Sequence, residues 1–330
     1  MLEHGGRLRA AAQRYGIAEA DWLDLSTGIA PYGWELPSLP AAAWARLPEL
    51  DDGLEAAARQ YYGCDSLLPV AGSQAAIQAL PRLRGRSRVG VISPCYAEHA
   101  HAWRREGHEL EELDADTAER ELERFDLLLV VNPNNPTGQR LAAERLLAWR
   151  ARLVKRGGWL LVDEAFMDCT PQHSLAGHCP LPGLVVLRSF GKFFGLAGIR
   201  LGFVLAEAPV LNGLNEWLGP WAVSGPARAL AKAILLDRPG QERQRQRLLA
   251  DGQRLEGLLR ACDLAPSGGT ALFQRLVRGD AAALHEFLAA RGILTRLLAT
   301  PPSLRFGLPP DEAGWARLGQ ALIDYSKEHP

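Results

Sequence analysis

The sequence predicts an α/β fold: a large domain built on a mainly parallel β-sheet between helices, followed by a smaller α+β domain. Two observations support this prediction. Short apolar runs alternate with stretches of helical spacing through the middle of the chain, which is typical of parallel strands joined by crossover helices. Beyond about Trp221 the character changes to a long Arg/Gln-rich helix followed by short strands and helices. A chain of 330 residues is long enough to hold both domains.

The candidate strands of the large domain are the short apolar runs at residues 88–93, 126–131, 159–163, 184–188 and 201–205. Residues 141–156 are predicted to form a crossover helix, because side chains recur there at helical spacing and Gly157 and Gly158 end the run. Residues 241–259 are predicted to form the long helix near the start of the second domain.

The composition argues against several classes of protein. Charged residues make up 23% of the chain and its net charge is -1, so the charge favours neither nucleic acid nor a membrane as a partner. No apolar run reaches the roughly 20 residues of a spanning helix, and the start MLEHGGRLRA lacks the apolar stretch of a signal peptide, so we expect a cytoplasmic protein. The helix at 241–259 is rich in arginine, but Glu242, Asp251 and Glu256 interrupt it, which favours a solvated helix face over a nucleic-acid patch.

The cysteines give no sign of metal binding. They stand at positions 64, 95, 169, 179 and 262, without CxxC spacing or a Cys/His ligand pattern. We therefore predict no metal site, and we expect the cysteines to be reduced and mostly buried.

Three motifs stand at the ends of candidate strands: NPNNPTG at 132–138, DEAF at 163–166 and RSFGK at 188–192. A fourth, AGSQ at 71–74, follows the apolar residues Leu68-Pro-Val and opens a helix. Functional loops of an open α/β sheet gather at the carboxyl ends of its parallel strands. We therefore expect these motifs to converge in space.

Each motif carries side chains with a plausible chemical role and a more ordinary alternative. Gly72 allows close approach of a ligand, and the N–H groups of Ser73 and Gln74 at a helix start favour an anion such as phosphate, although such a sequence is often only an N-cap. Lys192 lies between aromatic residues, where desolvation makes an amine nucleophilic, although a lysine can also snorkel from a strand end. Asp163 ends an apolar strand and needs a cationic partner, for which a helix cap or a salt bridge is the alternative.

Together these motifs resemble the fold-type I pyridoxal-phosphate (PLP) enzymes of the class I/II aminotransferase superfamily, in a histidinol-phosphate aminotransferase-like order over nearly the whole chain. The resemblance implies that Lys192 carries PLP as a Schiff base and that Asp163 pairs with the pyridine nitrogen, as the catalytic residues. It also implies that Asn135 bonds the phenolic oxygen and that Tyr96 stacks on the ring. The residues implied to bind the cofactor phosphate are Ser73, Gln74, Ser189 and Arg200, of which Arg200 suits a bidentate contact.

The resemblance also implies a domain organisation and an assembly. Residues 1–35 would form an N-terminal arm that is part of the small domain and of the substrate site, residues 36–222 the large PLP-binding domain, and residues 223–330 the small C-terminal domain. A homodimer is expected, as is usual in this superfamily. Tyr61 or Tyr62 is a candidate to reach the partner's cofactor phosphate, with core packing as the alternative.

The N-terminal segment is similar to the threonine-phosphate decarboxylase family of cobalamin biosynthesis. The similar segments are Glu3-His-Gly-Gly6 and Asp24-Leu-Ser-Thr-Gly-Ile-Ala-Pro31. The resemblance implies substrate contacts at His4, Gly5, Gly28 and Asn135. Gly28 stands where the family has asparagine, so its contact would be through the backbone, and Ala30 departs in the same way.

Two further features agree with this family. Phe166 stands where aspartate and histidinol-phosphate aminotransferases usually carry a tyrosine, and the decarboxylases also have phenylalanine. Arg296 and Arg305 correspond to two arginines that hold the substrate's carboxylate and phosphate, in an order that the sequence leaves open. As alternatives, both arginines could be strand-end surface charges and residues 4 and 5 could belong to a disordered arm.

The function that the resemblance implies is PLP-dependent decarboxylation of L-threonine O-3-phosphate to (R)-1-aminopropan-2-ol O-phosphate in cobalamin biosynthesis. The nearest alternative is a histidinol-phosphate-type aminotransferase. A PLP-binding sensor module usually accompanies a DNA-binding domain, for which the chain leaves no room. The intact set of Lys192, Asp163 and Asn135 argues against a scaffold protein of the same pathway.

Overall fold

A computed structural model describes residues 5–328 and divides the chain into two compact units. The larger unit comprises Trp34–Asn135 and Arg140–Gln244. The smaller comprises Pro136–Gln139 and the described parts of residues 1–33 and 245–330.

The strands, in chain order, are β1 (Leu23–Asp24), β2 (Leu67–Val70), β3 (Arg88–Ile92), β4 (Glu109–Leu113), β5 (Leu127–Val131), β6 (Trp159–Asp163), β7 (Leu184–Ser189), β8 (Gly202–Leu205), β9 (Gly268–Thr270), β10 (Phe273–Val277), β11 (Ile293–Leu294), β12 (Arg296–Leu298) and β13 (Ser303–Gly307). The helices are α1 (Leu8–Tyr15), α2 (Ala42–Ala45), α3 (Leu54–Tyr62), α4 (Ser73–Ala79), α5 (Ala97–Arg105), α6 (Ala115–Arg120), α7 (Ala143–Val154), α8 (Ala208–Leu218), α9 (Gly225–Leu236), α10 (Arg238–Ala261), α11 (Ala281–Ala289) and α12 (Glu312–Glu328). The predicted helices at 141–156 and 241–259 are thus present as α7 and α10.

The larger unit is built on a seven-stranded sheet in the order β2-β8-β7-β6-β5-β3-β4. The pairs β4–β3, β3–β5, β5–β6 and β6–β7 are parallel, which confirms the mainly parallel sheet. The candidate strand at 201–205 departs from this pattern, because β8 runs antiparallel to both β7 and β2. The segment from β7 to β8 contains only the short 3₁₀ turn Ala197–Ile199, and a parallel return needs a longer crossover.

The sheet is apolar on both faces, as a parallel sheet covered by helices requires. Every residue of β5 is buried, and so are the last four of β6. Trp149 of α7, which packs against β6, is fully buried. The acidic edge strand β4 was not predicted, since Glu109, Glu111 and Glu112 hide the apolar pattern and charge is typical of an exposed sheet edge.

The smaller unit is built on a four-stranded antiparallel sheet in the order β12-β13-β10-β9. The short parallel pair of β1 and β11 joins the N-terminal segment to this unit. Helix α11 packs against β12 and β13. Residues 136–139 also belong here, and a Cβ at Gly138 would lie 2.3 Å from the Gly269 oxygen, so only glycine fits that approach.

The boundary between the two units lies between Gln244 and Arg245, within α10. The resemblance implied a boundary between residues 222 and 223. Helix α9 belongs to the larger unit because it packs against α3. The buried Arg228 of α9 joins the two helices, since its guanidinium donates to Asp52 at 2.7 Å and to Glu55 at 2.7 Å.

The cysteines are free, and all but the half-buried Cys95 are buried, as predicted. Within residues 5–328, no helix combines the length and the apolar character needed to cross a membrane.

We expect Leu161→Ala to lower the free energy of unfolding by about 2–5 kcal/mol, because it leaves a cavity in the centre of a packed sheet. Leu161 lies on β6 and is 1% exposed. The matched control is Leu249→Ala, whose side chain is 38% exposed. Urea unfolding followed by tryptophan fluorescence measures both, and equal losses in the two variants would contradict the assignment of this core.

Candidate active site

The carboxyl ends of β5, β6 and β7 lie side by side. Val131 pairs with Asp163 and Asp163 pairs with Leu187 in the register of the three strands. The loops that carry NPNNPTG, DEAF and RSFGK therefore start at neighbouring points on one edge. The loop after β5 is closed by Asn132, whose side chain accepts from the Leu141 N–H at 2.8 Å and donates to the Leu141 oxygen at 3.2 Å. Asn135 is half-buried in this loop.

Asp163 is a buried carboxylate held by two donors. It is 3% exposed. Nε2 of His99 lies 2.8 Å from its Oδ2 and acts as the donor because a carboxylate only accepts. The backbone N–H of Ala165 donates to Oδ1 at 3.0 Å. These bonds fix the carboxylate at the end of β6.

The sequence analysis did not find His99. The residue follows Tyr96 by one turn of α5, and the two rings meet edge to face with centroids 6.1 Å apart. A histidine at this spacing from the proposed stacking residue is a signal that could have identified it.

Lys192 follows β7 in a loop packed with aromatic side chains. Phe190, Phe193 and Phe194 are each at most 1% exposed, and Lys192 itself is half-buried. The Phe190 and Phe194 rings stack with centroids 4.2 Å apart. Gly191 is required by close packing, because a Cβ there would lie 2.7 Å from the Ala197 Cα. The backbone on either side of Lys192 is therefore firmly positioned.

The start of α4 forms a compact turn against β8. Gly72 has a φ of 74°, in the left-handed region that favours glycine. A Cβ at Gly202 would lie 2.6 Å from the Ser73 nitrogen, so the two segments approach as closely as glycine allows. Ser189, at the end of β7, pairs with Gly202 and is buried. Ser73 and Ser189 are thereby brought to the same corner of the sheet.

Arg200 reaches this corner from a strained backbone. Its φ of 54° and ψ of 60° place it in the left-handed region, which is uncommon for residues other than glycine. Its guanidinium lies beside Gly72, where an added Cβ would be 2.9 Å from the guanidinium nitrogen NH2. NH1 donates to the Ala197 oxygen at 2.9 Å. Strain of this kind persists where surrounding structure holds it, and it is frequent at ligand sites.

The side chain of Gln74 is already engaged. Its Nε2 donates to Glu98 at 2.9 Å, and its Oε1 accepts from the Tyr96 hydroxyl at 3.3 Å. Burial, and then the charges of Glu98 and Asp163, raise the pKa of Tyr96 to about 12, so its hydroxyl stays protonated. Gln74 is thus better placed to offer its backbone N–H than its side chain.

A buried network of ion pairs connects β7 to the segment that follows β6. Arg188 of β7 is 2% exposed and donates to Glu164 at 2.8 Å and to Asp168 at 2.6 Å. Burial acts to lower the pKa of Arg188, but the Asp168 and Glu164 carboxylates outweigh it and raise this pKa, so the guanidinium stays charged. Tyr61 donates to Asp168 at 3.0 Å, and the Tyr62 ring lies 4.8 Å from the Arg188 guanidinium carbon. Both tyrosines pack within the larger unit.

In the smaller unit, Arg305 and Gly5 both approach the backbone carbonyl of Ser26 in the N-terminal segment. The Ser26 oxygen accepts from NH2 of Arg305 at 3.0 Å. Gly5 packs on the same carbonyl, since a Cβ there would lie 2.3 Å from the Ser26 oxygen. Gly28 is buried two residues further along. Arg296 pairs with Arg305 across β12 and β13. Ser26 was not singled out from the sequence, and His4 lies outside the described residues.

The residues of the larger unit fit PLP. A lysine, a buried carboxylate, a tyrosine and an asparagine supply the donors and acceptors that the ring requires. The turn at Gly72, with Ser73, Ser189 and Arg200 around it, supplies N–H, hydroxyl and guanidinium groups for a phosphate. Phe166 is buried after the carboxylate and offers no hydroxyl.

The model of the family described as "Aminotransferase class I and II" matches residues 21–322. The chain belongs to this family. It is 64% identical to the threonine-phosphate decarboxylase of Pseudomonas aeruginosa over 327 residues, which cover 99% of both chains. It is 48% identical to a threonine-phosphate decarboxylase of Sinorhizobium over 97% of both chains. Among solved structures, the histidinol-phosphate aminotransferase of Sinorhizobium meliloti in complex with pyridoxal-5'-phosphate matches with a TM-score of 0.83, at 20% identity, over 100% of this chain and 96% of that one. The last likeness supports the α/β fold of this aminotransferase-family chain.

We expect His99→Leu to reduce kcat roughly 10- to 100-fold, the equivalent of about 1.5–3 kcal/mol for a lost hydrogen bond to a charged group. His99→Gln keeps a donor and should recover part of the rate. The control is His101→Leu, on an exposed position of the same helix. Steady-state kinetics and the absorption spectrum of the bound cofactor measure the effect. An unchanged spectrum and rate in His99→Leu would refute a positioning role.

We expect Arg188→Met to cost about 3–5 kcal/mol of unfolding free energy, because it leaves two buried carboxylates without their cation. Arg152→Met is the control, since the pair of Arg152 and Glu123 is equally short at 2.7 Å but 36% and 59% exposed. An exposed pair is worth about 1 kcal/mol or less. Chemical unfolding of both variants measures the difference, and a loss at Arg188 no larger than at Arg152 would contradict the argument.

Proposed function

We propose that this protein is a PLP-dependent carboxy-lyase that converts L-threonine O-3-phosphate to (R)-1-aminopropan-2-ol O-phosphate and carbon dioxide, a step of cobalamin biosynthesis. The likeness to the Pseudomonas aeruginosa threonine-phosphate decarboxylase along nearly the whole chain carries this conclusion. The geometry agrees with it, because the described residues include both a set that fits PLP and arginines suited to an anionic substrate.

The cofactor, when bound, supplies a conjugated cationic ring that accepts an electron pair from the substrate's α-carbon. Lys192 would hold it covalently, and Asp163, fixed by His99, would pair with its ring nitrogen. Tyr96 would stack on the ring, and Asn135 would bond its phenolic oxygen. Ser73, Gln74, Ser189 and Arg200 would bind its phosphate, with Gln74 acting through its backbone N–H.

The substrate carries two anionic groups, and the chain provides two arginines for them. We assign Arg296 and Arg305 to the carboxylate and the phosphate. We also assign substrate contacts to His4, Gly5, Gly28 and Asn135, with the contact of Gly28 through its backbone. Arg305 is already positioned by the Ser26 carbonyl, so its guanidinium does not need to be ordered by the substrate.

The reaction follows from how the substrate is held. The orientation in which the chain holds the substrate's carboxylate would decide which bond to the α-carbon breaks. In the proposed reaction carbon dioxide leaves from the α-carbon, and one proton replaces it there. We assign the return of this proton to the amine of Lys192. An aminotransferase would instead keep the carboxylate and lose the α-proton.

We propose that the protein acts as a homodimer in the cytoplasm. Support for a dimer comes from large apolar side chains that are exposed between residues 36 and 50. Leu36 is 59% exposed, Trp44 70%, Leu47 64% and Leu50 77%. Exposed apolar side chains grouped in this way are typical of a protein interface.

The expected result is release of carbon dioxide and aminopropanol phosphate in equal amounts from L-threonine O-3-phosphate, over many turnovers and without a keto acid. Mass spectrometry of the product and a carbon dioxide assay measure this with PLP-loaded protein. Lys192→Ala serves as the control and should abolish turnover. If the protein releases neither product but transfers an amino group from histidinol phosphate to 2-oxoglutarate, the histidinol-phosphate aminotransferase assignment is correct instead.

A further inference from the structure

Three arginines stand in a row across the sheet of the smaller unit. Arg275 of β10 is directly opposite Arg305 of β13, and Arg305 is directly opposite Arg296 of β12. Directly opposed residues of antiparallel strands project from the same face. The sequence analysis identified Arg296 and Arg305 but not Arg275, which lies in an otherwise unremarkable strand.

Arg275 is buried without a carboxylate. It is 6% exposed. Its Nε donates to the Ser303 hydroxyl at 3.2 Å, and its NH2 nitrogen is buried with no hydrogen-bond partner. Arg188 and Arg228, which are also buried, each contact two carboxylates. Arg278 is close to Arg275 on the chain and contacts Asp280 at 2.5 Å.

The burial of Arg275 without a carboxylate is electrostatically unfavourable. Burial lowers the pKa of Arg275, and burial together with the charge of Arg296 lowers the pKa of Arg305 to about 10. Like charges on opposed strands repel each other, and a buried cation without an anionic partner is costly. An anion bound beside Arg275 would offset that cost, which is a physical reason to keep an arginine at this position.

We propose that Arg275 is a third anion-binding arginine, and that Arg275 and Arg305 together bind the phosphate monoester of the substrate. This inference rests on the proposed function. A phosphate monoester carries nearly two negative charges at neutral pH and a carboxylate carries one. Three guanidiniums therefore match the charge of L-threonine O-3-phosphate, and the unpartnered NH2 nitrogen of Arg275 supplies a donor to a phosphate oxygen. Arg296 is then left for the carboxylate.

Substitution of Arg275 distinguishes a role in anion binding from a role in folding. Loss of an anion-binding residue lowers the affinity for the anion, whereas removal of a buried, unpaired charge does not lower the stability of the fold. In Arg275→Met a buried, unpaired charge is replaced by an apolar side chain of similar length, so the unliganded fold should not be weakened. The KM for L-threonine O-3-phosphate should rise at least 10-fold, with a smaller change in kcat. The affinity of the PLP-loaded enzyme, whose cofactor phosphate site is filled, for inorganic phosphate should fall by a similar factor. Arg275→Lys should recover part of both.

The control is Arg260→Met, since Arg260 is exposed and its contact at 2.8 Å is with Glu256 of its own helix. Kinetics, calorimetric titration with inorganic phosphate and the thermal unfolding midpoint are measured for all three variants. If Arg275→Met keeps the wild-type KM and phosphate affinity, or if it loses stability and affinity together and lysine restores neither, Arg275 is structural and the inference is wrong. If the wild type releases no carbon dioxide but Arg275→Met still loses phosphate affinity, the proposed function fails while the anion site stands.

Discussion

The buried ion pair between Arg188 and Glu164 connects the ends of β6 and β7, next to the residues proposed to hold the cofactor. Glu164 directly follows Asp163. Arg188 directly precedes Ser189, and Lys192 lies four residues after Arg188. Two charges taken out of water are stable only with good geometry and further hydrogen bonds. Ser174, the Leu175 N–H and Asp168 provide those bonds. The strand ends therefore cannot shift separately without breaking the network.

Charge is treated differently in the two units. In the larger unit the buried cations Arg188 and Arg228 have carboxylate partners, so their charges are neutralised within the fold. In the smaller unit the described contacts of Arg275 include no carboxylate. Its partner on β13 is Arg305, which is in turn opposite Arg296. A fold that buries Arg275 without a carboxylate gives up some stability at that position.

Much of the larger unit could be predicted from the sequence because its signals are local. Apolar strands followed by NNPTG, DEAF and SFGK predict both the sheet and candidate cofactor residues, and the parallel strands place the three motifs on one edge. The antiparallel direction of β8 was missed, since a short strand has the same apolar pattern in either direction. His99 and Arg275 were missed for a different reason: each matters only through a partner distant in sequence, 64 residues away for Asp163 and 30 residues away for Arg305.

The residues that fit the cofactor do not by themselves select a reaction. Lys192, Asp163 and Asn135 suit decarboxylation and transamination equally, because in both reactions a bond to the same α-carbon breaks and its electron pair stays on that carbon. What distinguishes the two is the direction in which the carboxylate is held, and that direction depends on where the substrate's anions are bound. In the anion site proposed above, a dianion held by two buried guanidiniums would fix one end of a short substrate, and Arg296 would limit rotation of the remaining carboxylate. Selection of the bond that breaks would then depend on the β10, β12 and β13 arginines more than on the residues proposed to hold the cofactor.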